Sequence, residues 1–228
     1  MKIINLTDKL EWLGHLTPLD LTQVQHIVLH HIYATTATPE EIHQWHLEQG
    51  NDPDSPMYRC IGFGYNEYIR KDGTVYIGRG DNQGAQCYGL NQITYGIACE
   101  GNYEVEQTMP QAQLDSLIAR IQFNKKRFGK FESVEPHYRF SETSCPGKYF
   151  PMEKINLTQI MPMVQFGDTG DSVSYLQKEL NNKGFDCGNV DGIFGMKTQR
   201  GVLQFQKANG LVQDGIAGPK TWGKLLGG

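Results

Sequence analysis

Apolar residues follow two rhythms along this chain, and each rhythm predicts its own element. Ile27, Val28 and Leu29 make a short apolar, largely β-branched run that predicts a buried strand, and the run leads straight into two histidines, His30 and His31. The segment "GFGYNEYIRKDGTVYIGRG" predicts two strands joined at Lys71, Asp72 and Gly73, because Asp-Gly between alternating apolar positions favours a hairpin turn. "ITYGIACEG" predicts a further buried strand. Between the strands the spacing lengthens to that of helices. "TATPEEIHQWHLEQG" opens with Thr38 as cap, Pro39 in the first helical position and Glu41 completing a capping box, and Gly50 closes it. "TMPQAQLDSLIARIQFNKKRFG" repeats that grammar, with Thr108 expected as cap, Leu114, Leu117, Ile118 and Ile121 on one face and Gly129 beyond the end. Strands interleaved with helices give the expected fold class: α/β, a central, mostly open β-sheet flanked by helices.

From about Phe166 the texture changes. Val173, Leu176 and Leu180 sit at i, i+3 and i+7 of a short helix, and "DGIFGMKT", from Asp191, returns as "DGIAGPKT", from Asp214. Each copy follows a helix containing Leu-Gln, at 176 and 177 and again at 203 and 204. A repeated loop-then-helix unit predicts a small helical module in which neither copy buries its apolar face alone. The expected division is a catalytic-sized domain over residues 1–155, a connector over 156–165 and the module over 166–228.

Composition narrows the function. Hydrophobic residues make up 39% and charged residues 20% of the 228, ordinary values for a globular chain with a full core. The net charge of -4 speaks against general nucleic-acid binding, which rests on Lys and Arg neutralising phosphates. No apolar run approaches the ~18 to 20 residues that span a bilayer, so no membrane insertion is expected. Asp8, Lys9 and Glu11 stand where a secretory signal needs its apolar stretch, so the expectation is synthesis in the cytoplasm. Five cysteines, an odd number without CxxC spacing, predict free thiols.

One of those thiols sits in chemically pointed company. Within "EPHYRFSETSCPG", His137 and Cys145 lie eight residues apart in a stretch whose Ser, Thr, Pro and Gly favour rigid turns. With one histidine of the first strand they supply two imidazoles and a thiolate, a catalytic zinc set that leaves a fourth position for water. Two other readings stand beside it: a core thiol near a hydrogen-bonded histidine, and a Cys/His hydrolase with Cys145 as nucleophile. Strand alternation allows only one of His30 and His31 to face any one site.

The motifs "VLHH", "GYNEYIRKDGTVYIGRG", "YGIACEGNY" and "HYRFSETSCPG", spread in this order over roughly residues 25 to 150, resemble the signatures of the type 2 N-acetylmuramoyl-L-alanine amidases. That fold is shared with T7-type lysozyme amidases and peptidoglycan recognition proteins. "GDSVSYLQKEL" and the segment from Val190 to Trp222 resemble the small three-helix peptidoglycan-binding module. The resemblance implies Zn2+ held by His30, His137 and Cys145, with His31 turned to the other side of the strand. It implies Tyr65 of "GYN" as the catalytic tyrosine, and Thr143 at a position, two before the cysteine, that is Lys in some members and Thr in others. Some relatives carry a glutamate where this chain has Ala98; Glu100, one pleat further on, is a candidate for substrate contact, as are Arg79 and His31. The implied activity is hydrolysis of the amide between N-acetylmuramic acid and L-alanine in bacterial peptidoglycan, as in an endolysin released through a holin-opened membrane. A zinc peptidase cutting within the stem and a non-catalytic recognition protein are the rivals. His43 and His46, at i and i+3 on the first helix, are expected on the surface, and His15 and His26 carry no motif.

Overall fold

Strands that are apolar along their whole length need cover on both faces, which parallel sheets provide by crossing over through helices. The computed structural model, which describes residues 1–55, 59–155, 161 and 163–227, has this arrangement. The chain divides into two units, Met1–Pro151 and Met152–Gly228. The expected connector, 156–165, falls largely outside the described residues.

The first unit runs β1 (Ile3–Asn5), β2 (His26–His31), α1 (Pro39–Asn51), β3 (Glu67–Ile69), β4 (Val75–Ile77), β5 (Thr94–Cys99), α2 (Gln111–Lys125) and β6 (Ser133–Pro136). The sheet order is β1-β4-β3-β5-β2-β6. Every neighbouring pair is parallel except β3 with β4, the hairpin expected at Lys71 to Gly73, where Arg70 N–H donates to the Thr74 carbonyl and Gly73 takes a φ of 83°. All six residues of β5 and the last five of β2 are buried, as the apolar runs require.

The capping box of α1 forms as expected: the Glu41 amide donates to the Thr38 hydroxyl, and the Glu41 carboxylate receives the Thr38 amide. Helix α2 departs from expectation at its start. It begins at Gln111 with Pro110 as the preceding residue and no side-chain cap, so Thr108 lies outside it. Its predicted face, Leu114, Leu117, Ile118 and Ile121, is buried. The same helix sends Arg120 into the sheet, where Nε and Nη2 donate to the Glu67 carboxylate at 2.8 and 2.7 Å, joined there by Asn124 at 2.8 Å and the Tyr95 hydroxyl at 2.9 Å. Glu67 is fully buried, so losing its cation strands a charge out of water. Arg120→Met is expected to lower unfolding free energy by about 3 to 5 kcal/mol in urea denaturation.

The second unit contains α3 (Asp171–Asn182), α4 (Met196–Ala208) and α5 (Pro219–Gly227), closed around Val173, Leu176, Leu180, Val202, Phe205 and Trp222. The internal repeat is real, but its glutamine is Gln206 rather than Gln204. Gln177 donates to the Asp191 carboxylate, the Ile193 carbonyl and the Thr198 hydroxyl; Gln206 donates to Asp214, Ile216 and Thr221 in the same way. The aligned core is therefore Val173, Leu176 and Gln177 against Val202, Phe205 and Gln206, and the Leu-Gln at 203 and 204 is out of phase with it.

Candidate metal centre

Parallel neighbours end at the same edge of a sheet, and that edge is where α/β folds bind ligands. Strand β6 pairs with β2 so that Pro136 faces Leu29. The residue that follows each of them in the chain is a histidine, and His30 and His137 emerge side by side, with ring centroids 4.4 Å apart. His137 opens a short 3-10 turn, His137–Arg139. The chain then folds back: Tyr138 N–H donates to the Cys145 carbonyl at 2.9 Å, and Cys145 N–H donates to the Thr143 hydroxyl at 3.2 Å. Gly147 permits the return. Its φ is 98°, and a Cβ there would lie 2.4 Å from the Tyr103 backbone. The result sets Cys145 Sγ 3.7 Å from His30 Nδ1, with one donor atom from each of His30, His137 and Cys145 within 4.8 Å of the others.

Electrostatics prepares this trio for a cation. Burial holds the His30 pKa well below the ordinary imidazole value, with His137, His31 and His46 adding to the effect, and burial lowers that of His137 too. Both rings are thus neutral at neutral pH, the form that ligates a metal. Burial pushes the Cys145 thiol up to about 12, and only a cation would make its thiolate favourable. His30 Nε2 is buried without a hydrogen-bond partner. Two nitrogens and one sulfur, converging, with His30 and Cys145 buried and His137 half-buried, suit zinc.

Around the trio opens a cavity of about 640 Å³, lined by β2, α1, the segment 59–65, the loop 85–91 and the Cys145 loop. Tyr65 stands in its wall, 5.2 Å from the His30 ring and 5.3 Å from that of His46, centroid to centroid. Burial raises its pKa, with Cys145 next in effect, so the phenol keeps its proton and can donate it in a hydrogen bond. Thr143 also lines the cavity, its hydroxyl 3.1 Å from the Tyr33 hydroxyl.

The remaining candidates lie as follows. His31 Nδ1 accepts the Tyr103 amide at 3.0 Å, which leaves the proton of the neutral ring on Nε2; burial pushes its pKa down to about 4. His31 is also among the residues that line the cavity. Arg79 does not line the cavity; it donates to the Phe63 and Gln83 carbonyls at 2.7 and 3.1 Å and so braces the segment that leads into Tyr65. Glu100 is likewise outside the lining. Its carboxylate receives Arg70, the Lys71 and Ala37 amides and the Thr36 hydroxyl. Burial works to raise its pKa, and the Lys71, Thr36 and Arg70 bonds outweigh it.

His43 and His46 correct the sequence reading. Both are buried, not on the surface: His43 Nδ1 accepts the Phe63 amide at 3.1 Å and His46 Nδ1 the Gly64 amide at 2.8 Å, tying α1 to the backbone that carries Tyr65. Helical spacing showed that they share a face; nothing in it showed that orphan amides 20 and 18 residues away would need acceptors. Burial, aided by Arg79 and His43, pushes the His46 pKa down to about 3. Since the unfolded value is higher, protonation favours unfolding, so this contribution is complete above about pH 6.5 and fades as pH falls toward the folded value. The unfolding free energy from urea titration is expected to drop between pH 6.5 and 4, by up to about 1.4 kcal/mol per pH unit from this group. His46→Asn, whose side-chain oxygen can still accept the Gly64 amide, should remove that share of the slope.

Sequence reasoning also missed Tyr33, Trp45, Gln49, Tyr88 and Asn91, all of which line the cavity. They belong to no motif, and only their aromatic or amide character, on α1 for Trp45 and Gln49 and in loops for the others, could have drawn attention.

The fold and the donor set at its edge define a class, the peptidoglycan amidases and the recognition proteins that share their architecture. Residues 20–148 match the N-acetylmuramoyl-L-alanine amidase family, and residues 169–225 match a peptidoglycan binding domain. The solved N-acetylmuramoyl-L-alanine amidase LysC from Clostridium intestinale is 32% identical, over 70% of this chain and 97% of that one, with a TM-score of 0.58. Drosophila PGRP-LB, at 23% identity over 67% of this chain and 91% of that one and a TM-score of 0.55, shares the fold. N-acetylmuramoyl-L-alanine amidase CwlM of Mycobacterium tuberculosis is 46% identical over 59 residues, 25% of this chain and 14% of that protein. The chain spans 14% and 55% of the lengths of the first curated relatives it matches. It belongs to the N-acetylmuramoyl-L-alanine amidase family.

Proposed function

We propose that this chain hydrolyses the amide between N-acetylmuramic acid and L-alanine in bacterial peptidoglycan, using zinc held by His30, His137 and Cys145, and that it acts as a cell-wall lytic enzyme of the endolysin kind. The observation that carries the reading is the convergence of these three donors beside Tyr65 at the carboxyl edge of the sheet. Zinc bound there would supply a Lewis acid and lower the pKa of water to about 7.

The chain's own groups do the rest. The Tyr65 phenol, protonated at neutral pH, donates a hydrogen bond to the scissile carbonyl oxygen as negative charge gathers on it. The Thr143 hydroxyl accepts the Cys145 amide and so fixes the loop that positions the thiol. It can add a hydrogen bond toward substrate, but no charge. His31, neutral and bonded to the Tyr103 amide, buttresses the end of β2. Arg79 and Glu100 hold neighbouring backbone and act on substrate only through it. The second unit, matching a peptidoglycan binding domain, would keep the enzyme on the wall. Among the described residues no helix is long and apolar enough to cross a membrane; the route to the wall in this reading is holin-type release.

A nucleophilic Cys145 is disfavoured, because burial keeps its thiol protonated far above neutral pH. Mass spectrometry of products from purified peptidoglycan tests the proposal. Intact stem peptides bearing a new L-alanine amine are expected from zinc-loaded protein and none from chelator-stripped protein. Cleavage inside the stem would assign the site to a peptidase, and wall binding with no new amine would make the chain a recognition protein.

A further inference from the structure

The cavity carries large aromatic side chains that the metal chemistry leaves unused: Tyr33 at 50% exposure, Trp45 at 38% and Tyr88 at 93%. Tyr33 is already engaged, its ring edge-on to His31 with centroids 3.9 Å apart and its hydroxyl at Thr143. Tyr88 stands almost wholly in water, where its ring gains nothing from folding. The backbone beneath it is nonetheless firmly braced. Gln86 and Cys87 N–H groups donate to Asn91 Oδ1 at 3.2 and 3.0 Å, Leu90 N–H to the Cys87 carbonyl at 3.0 Å, and Gln92 Nε2 to the Gly89 carbonyl at 3.1 Å. Gly89, with a φ of 76°, makes the tight turn. An unpacked ring on a braced turn at a cavity is a preorganised contact surface.

Two observations choose its ligand. The Gln86 and Cys87 amides are already taken by Asn91, so at these two positions the turn offers a peptide no backbone ladder. Gln49 also lines the cavity, and a side-chain amide is suited to hydroxyl groups. A tyrosine face carries the negative side of its ring quadrupole and attracts polarised C–H bonds. A pyranose offers C–H bonds on its faces, polarised by the adjoining oxygens, and hydroxyls around its rim. We propose that Tyr88, with Trp45 on α1, forms a saccharide subsite that stacks against a glycan ring beyond the muramic acid bearing the scissile amide. This rests on the amidase reading above.

The test uses the full zinc-loaded chain and two soluble substrates: a stem peptide on a single muramic acid, and the same stem on a glycan of several rings. Tyr88→Ala is expected to raise KM for the long glycan by about three- to tenfold, the range of one aromatic contact, with kcat within about twofold and KM for the single-sugar substrate unchanged. Tyr88→Phe keeps the ring and should restore native values. The thermal midpoint should stay put in both variants, since the side chain packs on little. Calorimetry with a peptide-free glycan chain reads the subsite apart from turnover: Tyr88→Ala should bind it more weakly, while the second unit contributes equally to both proteins. An equal KM rise on both substrates, or a weakened inhibition by free stem peptide, would give Tyr88 to the peptide and overturn the subsite. Unchanged KM values and unchanged glycan binding would also overturn it. Native protein that releases no amine from either substrate would instead sink the amidase reading, and the glycan titration would still decide the subsite.

Discussion

Cys145→Ala is expected to leave a folded protein that retains no zinc on dialysis and releases no detectable L-alanine amine. Three donors define the site, and the sulfur is the only soft one among them. With it gone, two neutral imidazoles remain, a set that holds zinc far more weakly and provides no anionic ligand to offset the cation. The expected loss in affinity is about a thousandfold or more, larger than the 10 to 100-fold typical of groups that only orient ligands. Metal content after dialysis and amine release measure the two effects, and circular dichroism checks the fold. Folding should survive, because the Sγ atom makes no short hydrogen bond that the core depends on: its neighbours are His30 Nδ1 at 3.7 Å and the His31 carbonyl at 4.0 Å. A variant that kept stoichiometric zinc and activity would mean that Cys145 is a core thiol after all.

Tyr65→Phe removes one oxygen and keeps the ring against His30 and His46. The phenol is proposed to act where charge develops, so kcat should fall about 100- to 1,000-fold with KM within a few fold and zinc content unchanged. Loss of binding without loss of kcat would make Tyr65 a substrate contact and move the electrostatic role elsewhere. Thr143→Val should cost less, since its hydroxyl is partly occupied by the Cys145 amide and the Tyr33 hydroxyl.

Much of this was legible along the chain because short-range rules govern it. The Thr38 capping box, the Lys71 to Gly73 turn and the buried face of α2 each depend on residues within a few positions of one another. The ordered motifs named the residues His30, Tyr65, His137, Thr143 and Cys145, all of which line one cavity. What stayed hidden depends on partners distant in sequence. Arg120 reads as a helix-surface cation until Glu67 appears beneath it, and His43 and His46 read as exposed until the Phe63 and Gly64 amides need acceptors. Gln206 stayed hidden for another reason: Leu-Gln recurs at 203 and 204, while packing aligns Phe205 with Leu176.

The pairing of Pro136 with Leu29 has a consequence for how such a chain can change. His30 and His137 meet because two strands run in step, and a single residue added or removed within β6 would turn one imidazole to the opposite face. The stretch from Arg139 to Glu142 is under no such constraint, because the loop beyond it is closed by the bond between Tyr138 and Cys145 and by the Thr143 hydroxyl that holds the Cys145 amide. Its length and composition can drift while both anchor points stay fixed. A lineage built on this scaffold can therefore rewrite the wall of its cavity and change what it admits, with insertions falling on one side of His137 and never on the other.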